Sequence, residues 1–446
     1  MSNQNKKFMR KSYLLGGALL AAALFVTTSC KEVMGSLDNP VKSYLEVIGE
    51  APVIGVGETY TIEKDKNYTT ISDAAVEFSV DDSSKGMVEV DKFTGEVTAL
   101  KSGDAKINIS LPNNGIYLDD VASFTIKVRI DKFTDLKNEL TATGVTEVKA
   151  YLADDANIVW EGDDMIDVSG KKVAIIGGAN TTMVVKKGFQ IDNDFAISNV
   201  KMDFSDQGSY FVGFLNATEE VVKIGDITFE NIEAKNMKQP LFKSNKSNYL
   251  MNNISIINSV VEMGSNKNVI DLSSGSSAYN VNFENSTIYA SVSHTTGMFK
   301  NNGGQGVRQI EENGTQTFNF TNCTIYGLAY GKNFFDLNTK TKGQSFVKYN
   351  VKNNIFVNCG KNGQTIVGLN HGQVSSNPTW SVDGNVFNYN GSDTSGAEVT
   401  KAGKDSNNKD IVQNSIAKVV TFKDAANGDF TQSDVEVGDP RWKTKK

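Results

Sequence analysis

The chain is poor in the residues that most often do chemistry or lock a fold. It has three cysteines and two histidines in 446 residues. Cys30 closes an N-terminal apolar segment. Cys323 and Cys359 stand outside any CxxC array, so neither a zinc site nor a disulfide framework is indicated. Both flank apolar, strand-like runs and read as buried free thiols. Positive charge is scarce as well: 45 Lys and Arg face 52 Asp and Glu, few of the cations are arginines, and the formal net charge is −7. That balance is wrong for a nucleic-acid binder, whose affinity comes from neutralised phosphates. The N-terminal apolar run, Tyr13 to Val26, is 14 residues long, short of the roughly 20 that a membrane-spanning helix needs.

Residues 1–29 instead have the build of a targeting segment. Lys6, Lys7, Arg10 and Lys11 form a positive start without a nearby acid, the apolar run follows, and Thr27-Thr28-Ser29-Cys30 ends it. Small residues before a cysteine resemble a lipoprotein processing site, with Thr27 where Leu is usual. That looser version is similar to lipoproteins of Bacteroidota. The resemblance implies cleavage before Cys30, acylation of its thiol, and a tether to a membrane, the outer membrane, facing an extracytoplasmic space. Lys31-Glu32 faintly resembles the acidic tag that sends such proteins to the cell surface, and surface-exposed and periplasmic orientations both stay open. Cleavage removes four positive charges and no negative ones, moving the net charge from −7 to −11. About 417 residues remain, enough for two or more domains. Residues 30–40 read as a linker.

Residues 41–130 alternate apolar and polar positions in short runs: Val76-Glu-Phe-Ser-Val80, Met87-Val-Glu-Val90, Glu96-Val-Thr-Ala-Leu100, Ala105-Lys-Ile-Asn-Ile109 and Phe124-Thr-Ile-Lys-Val128. Period-two patterning between polar turns predicts a β-sandwich. The stretch from Val88 to Ile107, with the turn Asp91-Lys-Phe-Thr-Gly95, resembles the bacterial Ig-like group 2 domain. That resemblance implies a stalk that spaces or displays another module.

From residue 131 onward the pattern changes. Phe133, Leu136 and Leu140 recur at helical spacing and predict one short helix over 131–141. Then an apolar residue, any residue and Asn recur together: Ile197-Ser-Asn199, Phe229-Glu-Asn231, Ile256-Ile-Asn258, Phe283-Glu-Asn285, Phe320-Thr-Asn322, Val351-Lys-Asn353 and the degenerate Val382-Asp-Gly384. A second apolar strand recurs in most units: Pro240-Leu-Phe-Lys, Val269-Ile-Asp-Leu, Gly297-Met-Phe-Lys, Phe334-Phe-Asp-Leu and Ile366-Val-Gly-Leu. The units lack long 3.6-period segments, so helical or leucine-rich repeats fit poorly. A parallel β-helix over 131–446 accounts for them: each unit is one coil, too small to bury its own apolar face, and stacking closes a shared core. The Asn would form a ladder at a tight bend, because Asn tolerates left-handed backbone angles and can bond to its copy one rung away. The helix would cap the open end.

The coils, with Asp424-Ala-Ala-Asn-Gly-Asp-Phe-Thr431 and Gly438-Asp-Pro-Arg-Trp442, resemble Bacteroidota lipoproteins of largely unknown function that carry a pectin-lyase-like right-handed β-helix. Those families are commonly associated with polysaccharide-utilisation systems. The resemblance implies an extracellular polysaccharide, pectin-like among the choices, as partner, with outer-membrane glycan-uptake proteins as further partners. The closing Gly-Asp-Pro-Arg-Trp reads as a structural end-piece.

Enzyme motifs are missing. A polygalacturonase-like hydrolase would show Asn-Thr-Asp, Asp-Asp, Gly-His-Gly and Arg-Ile-Lys in rung register, and it does not. Asp154-Asp155 and Asp163-Asp164 read as solvated turn acids. No cofactor is expected; Ca2+ would enter only in a lyase, which needs clustered carboxylates. Register does create one constellation. Aligning the second strands stacks Gly213, Lys243, Asp271, Lys300, Asp336 and Gly368, each beside an apolar residue that should point inward, so the charges should point outward. With rungs about 4.8 Å apart, unlike charges neighbour one another, and Asp271 and Asp336 fall about 9.6 Å apart, near the upper limit for inverting carboxylate pairs. A weak surface ion-pair ladder and a polar groove for sugars both fit. Arg308, in a long loop with Glu311 and Glu312, could meet a uronate bidentately. His371 and Trp380 fall in a second loop, where the indole could stack on a sugar or pack on the last rungs. The leading expectation is binding or presentation of polysaccharide without catalysis. A polysaccharide lyase or glycoside hydrolase comes second, and a structural or adhesive surface protein third.

Overall fold

The computed structural model describes residues 40–214, 220–244, 248–272, 275–301, 310, 314–338, 346–360, 371–373, 379–388 and 412–444, with backbone alone for 338, 346, 371–373, 412 and 413. Cys30 and Arg308 lie outside the described residues. The chain divides into two compact units, residues 1–128 and 129–446.

In the first unit Val53–Gly55, Asp120–Arg129, Gly103–Leu111 and Glu77–Val80 form one sheet in that order, its last three strands antiparallel. Thr59–Thr61, Glu96–Ala99 and Val88–Val90 form another. Alternation decides which residues meet between them: along Gly103–Leu111 every second residue is buried. Ile107, Ile109, Phe124, Ile126, Phe78 and Val97 make the core. The turn at Asp91 closes on its own side chain, whose Oδ1 accepts from the amides of Phe93 (2.9 Å) and Thr94 (2.8 Å). Gly95 follows at φ +71°, and a Cβ there would lie 2.9 Å from the Phe78 ring. This is an Ig-like sandwich.

The second unit opens with the helix Phe133–Thr141, which buries Phe133, Leu136 and Leu140. It packs on Glu147–Tyr151 and Ile166–Asp167, the first strands of two of the sheets behind it, and so covers the open end of the core. Three parallel sheets follow. The first runs from Glu147–Tyr151 to Val412–Gln413, the second from Asn157–Val159 to Ile416–Ala417, and the third from Ile166–Asp167 to His371–Gln373. Successive strands of each sheet come from successive coils, so the chain winds as a right-handed parallel β-helix, the hand that parallel crossovers take. Every coil contributes large side chains to the axis, among them Phe229, Phe242, Phe283, Phe299, Phe320 and Phe335, all at most 1% exposed. Burying one such ring is worth about 1.5–3 kcal/mol.

The bend between the first and second sheets is where the repeated Asn sits. Asn199, Asn231, Asn258, Asn285, Asn322 and Asn353 all have φ between +47° and +58°, and Gly384 (φ +66°) and Asn414 (φ +48°) extend the series by two coils. The side chains bond rung to rung: Asn231 Nδ2 donates to Asn199 Oδ1 at 2.6 Å, Asn285 to Asn258 at 3.2 Å, and Asn322 to Asn285 at 3.1 Å. At Gly384 a Cβ would stand 2.6 Å from Asn353 Oδ1. A second, interior ladder occupies the next residue of the last six of these bends: Ser259, Ser286, Cys323, Asn354, Asn385 and Ser415. Side chains of this column accept the backbone N–H of the rung before, as Asn354 Oδ1 does from Cys323 (2.7 Å) and Asn385 Oδ1 from Asn354 (2.9 Å). This satisfies donors that the sharp bend strips from the sheets.

Cys323 is a member of that interior ladder, and Cys359 is likewise buried. Burial pushes both thiols up to about 12. The thiolate is the reactive form. Native protein at pH 8 should therefore resist iodoacetamide at both positions and be alkylated promptly in urea. Mass spectrometry that finds either cysteine modified at the same rate in both conditions would contradict their placement.

Candidate functional site

The third sheet brings the charged column together. Gly213 pairs with Lys243, Lys243 with Asp271, Asp271 with Lys300, and Lys300 with Asp336, each directly in register. Their neighbours Phe242, Ile270, Phe299 and Phe335 are buried and the four charged residues are half-buried. The column thus lies on the outward side of consecutive rungs. Gly368, its expected last member, and Ile366 to Leu369 lie outside the described residues; the strand that pairs with Phe335–Asn338 is His371–Gln373.

Sequence reasoning missed Tyr210. Its ring lies against the start of the column, with Lys243 Nζ 6.0 Å from the ring centre. A Cβ at Gly213 would collide with that ring and with the Lys243 carbonyl. Gly213 is therefore the place in the column where an aromatic face lies over the strand, and a glycine at a charged position was the available signal. Burial raises the Tyr210 hydroxyl above its usual pKa, so it stays a neutral donor.

Two placements need correction. His371 and Trp380 were expected in a loop, yet both lie on strands. His371 is the first residue of His371–Gln373, where its backbone pairs with Phe335. Trp380 lies on Thr379–Asp383, in register with Tyr349, and stacks on that ring at 3.9 Å between centroids. Tyr349 stacks in turn on Phe318 at 5.3 Å. Trp380 therefore ends an inward aromatic stack. Proline and small polar residues around it suggest a loop, whereas the coil register makes Trp380 the next storey of the core. Trp160 packs in the core between Phe133 (5.0 Å) and Phe189 (5.4 Å). The early acids are turn acids: Asp154 Oδ1 accepts from the Ala179 amide at 2.8 Å, Asp155 Oδ1 from Asn180 Nδ2 at 2.8 Å, and Asp163 pairs with Lys186 at 2.7 Å.

The second sheet holds the least expected feature. Its outward face is polar in early coils, with Lys201, Asp203, Glu233, Lys235 and Glu262, and apolar in later ones, with Tyr289, Tyr326, Ile355, Val357 and Val386. The C-terminal segment lies over the apolar part. Phe430 is fully buried against Tyr289 (5.1 Å) and Tyr326 (5.6 Å), and Val420, Val435 and Val437 pack with Ile355 and Val386. Gly438 (φ +90°) lets the chain pass so close to the sheet that a Cβ would be 2.6 Å from Ile355.

The Gly-Asp-Pro-Arg-Trp motif fastens this cover. Buried Asp439 accepts from the Thr287 hydroxyl at 2.8 Å and pairs with Arg441 at 3.0 Å. Burial still raises its pKa, against the opposing pull of Arg441. Trp442 Nε1 donates to Thr287 Oγ1 at 2.7 Å, and Arg441 Nη2 to the Asn285 carbonyl at 3.2 Å. Beyond this clasp lies a cleft of about 680 Å³ over the polar coils, bordered by Arg441 and Trp442 on one side and by Lys201, Glu233, Asn199 and Asn231 on the floor. Among the described residues no three or more His, Cys, Asp or Glu side chains cluster as metal ligands would.

Fold and surface together define an all-β protein: an Ig-like domain followed by a parallel β-helix whose outward faces carry ordered polar columns. Residues 46–112 match the bacterial Ig-like domain (group 2) family, and residues 159–291 match a domain of unknown function (DUF4957). Neither the curated proteins nor the solved structures yield a match. The DUF4957 match takes in the floor of the cleft and the start of the charged column; Arg441 and Trp442 lie beyond it.

Proposed function

We propose that this is a lipid-anchored, extracytoplasmic protein whose β-helix binds and presents a polysaccharide without cleaving it. The carrying observation is the column Lys243, Asp271, Lys300 and Asp336, aligned on the outward side of consecutive rungs. A stack of rungs about 4.8 Å apart offers the same kind of contact again and again. A linear polymer matches that repetition, meeting lysines with its acidic groups and aspartates with its hydroxyls. Tyr210 adds a ring at one end. Absence of hydrolase motifs from the sequence favours binding over turnover.

Lys300→Ala is the test. Losing a charge-assisted contact to an acidic glycan costs about 1.5–3 kcal/mol, which is roughly 10- to 150-fold in Kd. Losing an exposed ion pair costs under about 1 kcal/mol of stability. Titration of wild type and variant with the best acidic polysaccharide from a glycan array should therefore show the affinity loss with a nearly unchanged melt. Equal affinities would reduce the column to a structural ladder, and new reducing or unsaturated chain ends in the mixture would replace binding by catalysis.

The address of the protein rests on Cys30. Among the described residues no helix is long and apolar enough to cross a membrane, and the leader with its Thr-Thr-Ser-Cys end supplies the attachment instead. Cys30→Ala should leave the chain unprocessed or move it out of the membrane fraction. A variant that is cut and retained like wild type would disprove lipidation.

A further inference from the structure

We infer that the cleft between the C-terminal clasp and the polar coils of the second sheet is a second carbohydrate site, selective for a sugar bearing a carboxylate. The site is separate from the charged column: it lies on the second sheet, whereas the column is on the third. It deepens the glycan-binding reading by naming a ligand class, and it can stand if the column proves structural.

Three features support it. The first is size: about 680 Å³ falls within the range of ligand pockets. The second is prearrangement. Arg441 is held on one edge by Asp439 and the Asn285 carbonyl, which occupy only part of its donor fork. Trp442 is fixed by its Nε1 bond to Thr287 and is half-buried, so the indole is positioned before any ligand arrives. Neither side chain has much freedom left to lose on binding. The third is charge. Lys201 is exposed on the floor, and Glu233, the acid beside it, is paired with Lys235 at 2.6 Å. With Glu233 and Asp439 both ion-paired, the cleft favours an anion in a chain that is acidic overall. A guanidinium fork fits a carboxylate, an indole covers the C–H face of a sugar ring, and the Asn199 and Asn231 amides can meet hydroxyls. An acidic sugar presents all three groups at once.

The experiment uses the full chain and follows intrinsic tryptophan fluorescence while titrating oligogalacturonate, with the neutral oligogalactoside of equal length as comparison. Wild type should bind the acidic oligomer at least tenfold more tightly than the neutral one. Arg441→Gln should remove most of that preference. Because Arg441 also partners buried Asp439, Lys201→Gln serves as the variant that spares the clasp: it is exposed and should weaken acidic binding several-fold with an unchanged melt. Repeating the titrations in the Lys300→Ala background separates the cleft from the column: the loss caused by Lys201→Gln should persist there. Equal affinity for acidic and neutral oligomers would overturn the inference. So would a wild-type titration without saturation, or a Lys201→Gln variant that binds like wild type.

Discussion

Phe430→Ala should lower the unfolding free energy of the β-helix by about 3–5 kcal/mol, the cost of emptying a site filled by a large aromatic side chain. The residue lies outside the coils, yet it is fully buried and touches rings from two of them, Tyr289 and Tyr326, as well as Phe422. Those two tyrosines point away from the axis, so their burial depends on the C-terminal segment. Urea unfolding of the full chain measures the effect. Phe93→Ala is the comparison: that ring is 72% exposed on the Ig-like unit, and its loss should stay within about 0.5 kcal/mol. If Phe430→Ala shifts the β-helix transition no more than Phe93→Ala shifts its own, the segment rests on the sheet without stabilising it.

A comparable loss should follow Asn354→Ala. Asn354 is fully buried, accepts from the Cys323 amide, and donates to the Phe320 carbonyl at 2.9 Å and to Asn385 Oδ1 at 2.9 Å. Truncation leaves the Cys323 amide buried without its acceptor, at about 1–3 kcal/mol, and also removes the bonds to the Phe320 carbonyl and to Asn385. Asn354→Ser should recover part of the loss, because Ser already fills this column at Ser259, Ser286 and Ser415. Thermal melts of the three proteins would decide. Alanine and serine variants equal to wild type would mean that the interior ladder only fills space.

The coil register was legible because it is local. An apolar residue two before each of six Asn, and before Gly384 in a degenerate seventh copy, determines where the chain bends, and alternation from there determines which side chains face out. Lys243, Asp271, Lys300 and Asp336 could be aligned without coordinates because each follows a large apolar residue in the second strand that recurs from unit to unit. The same logic could have revealed the interior ladder, since the residue after the bend is Ser, Cys or Asn in six successive coils. It could also have placed Trp380 above Tyr349, had the coil register been trusted over the composition of the surrounding segment.

The C-terminal cover and the cleft were decided only in three dimensions. Thr287 and Asp439 are 152 residues apart, and their hydrogen bond leaves no period in the sequence. One trace was present: Ile288-Tyr-Ala290 and Ile355-Phe-Val357 are apolar without alternation, which a strand with one face in water would not be, and both are buried throughout. That pattern announces that something covers the outward face without saying what. Which segment does so depends on Gly438, Asp439 and Phe430 finding their partners after the coils have stacked. The sequence by itself therefore determined the repeating body of the protein and its charged column, because nearest-neighbour rules specify both. Tertiary structure decided where the non-repeating end lands, and with it the cleft that Arg441 and Trp442 enclose.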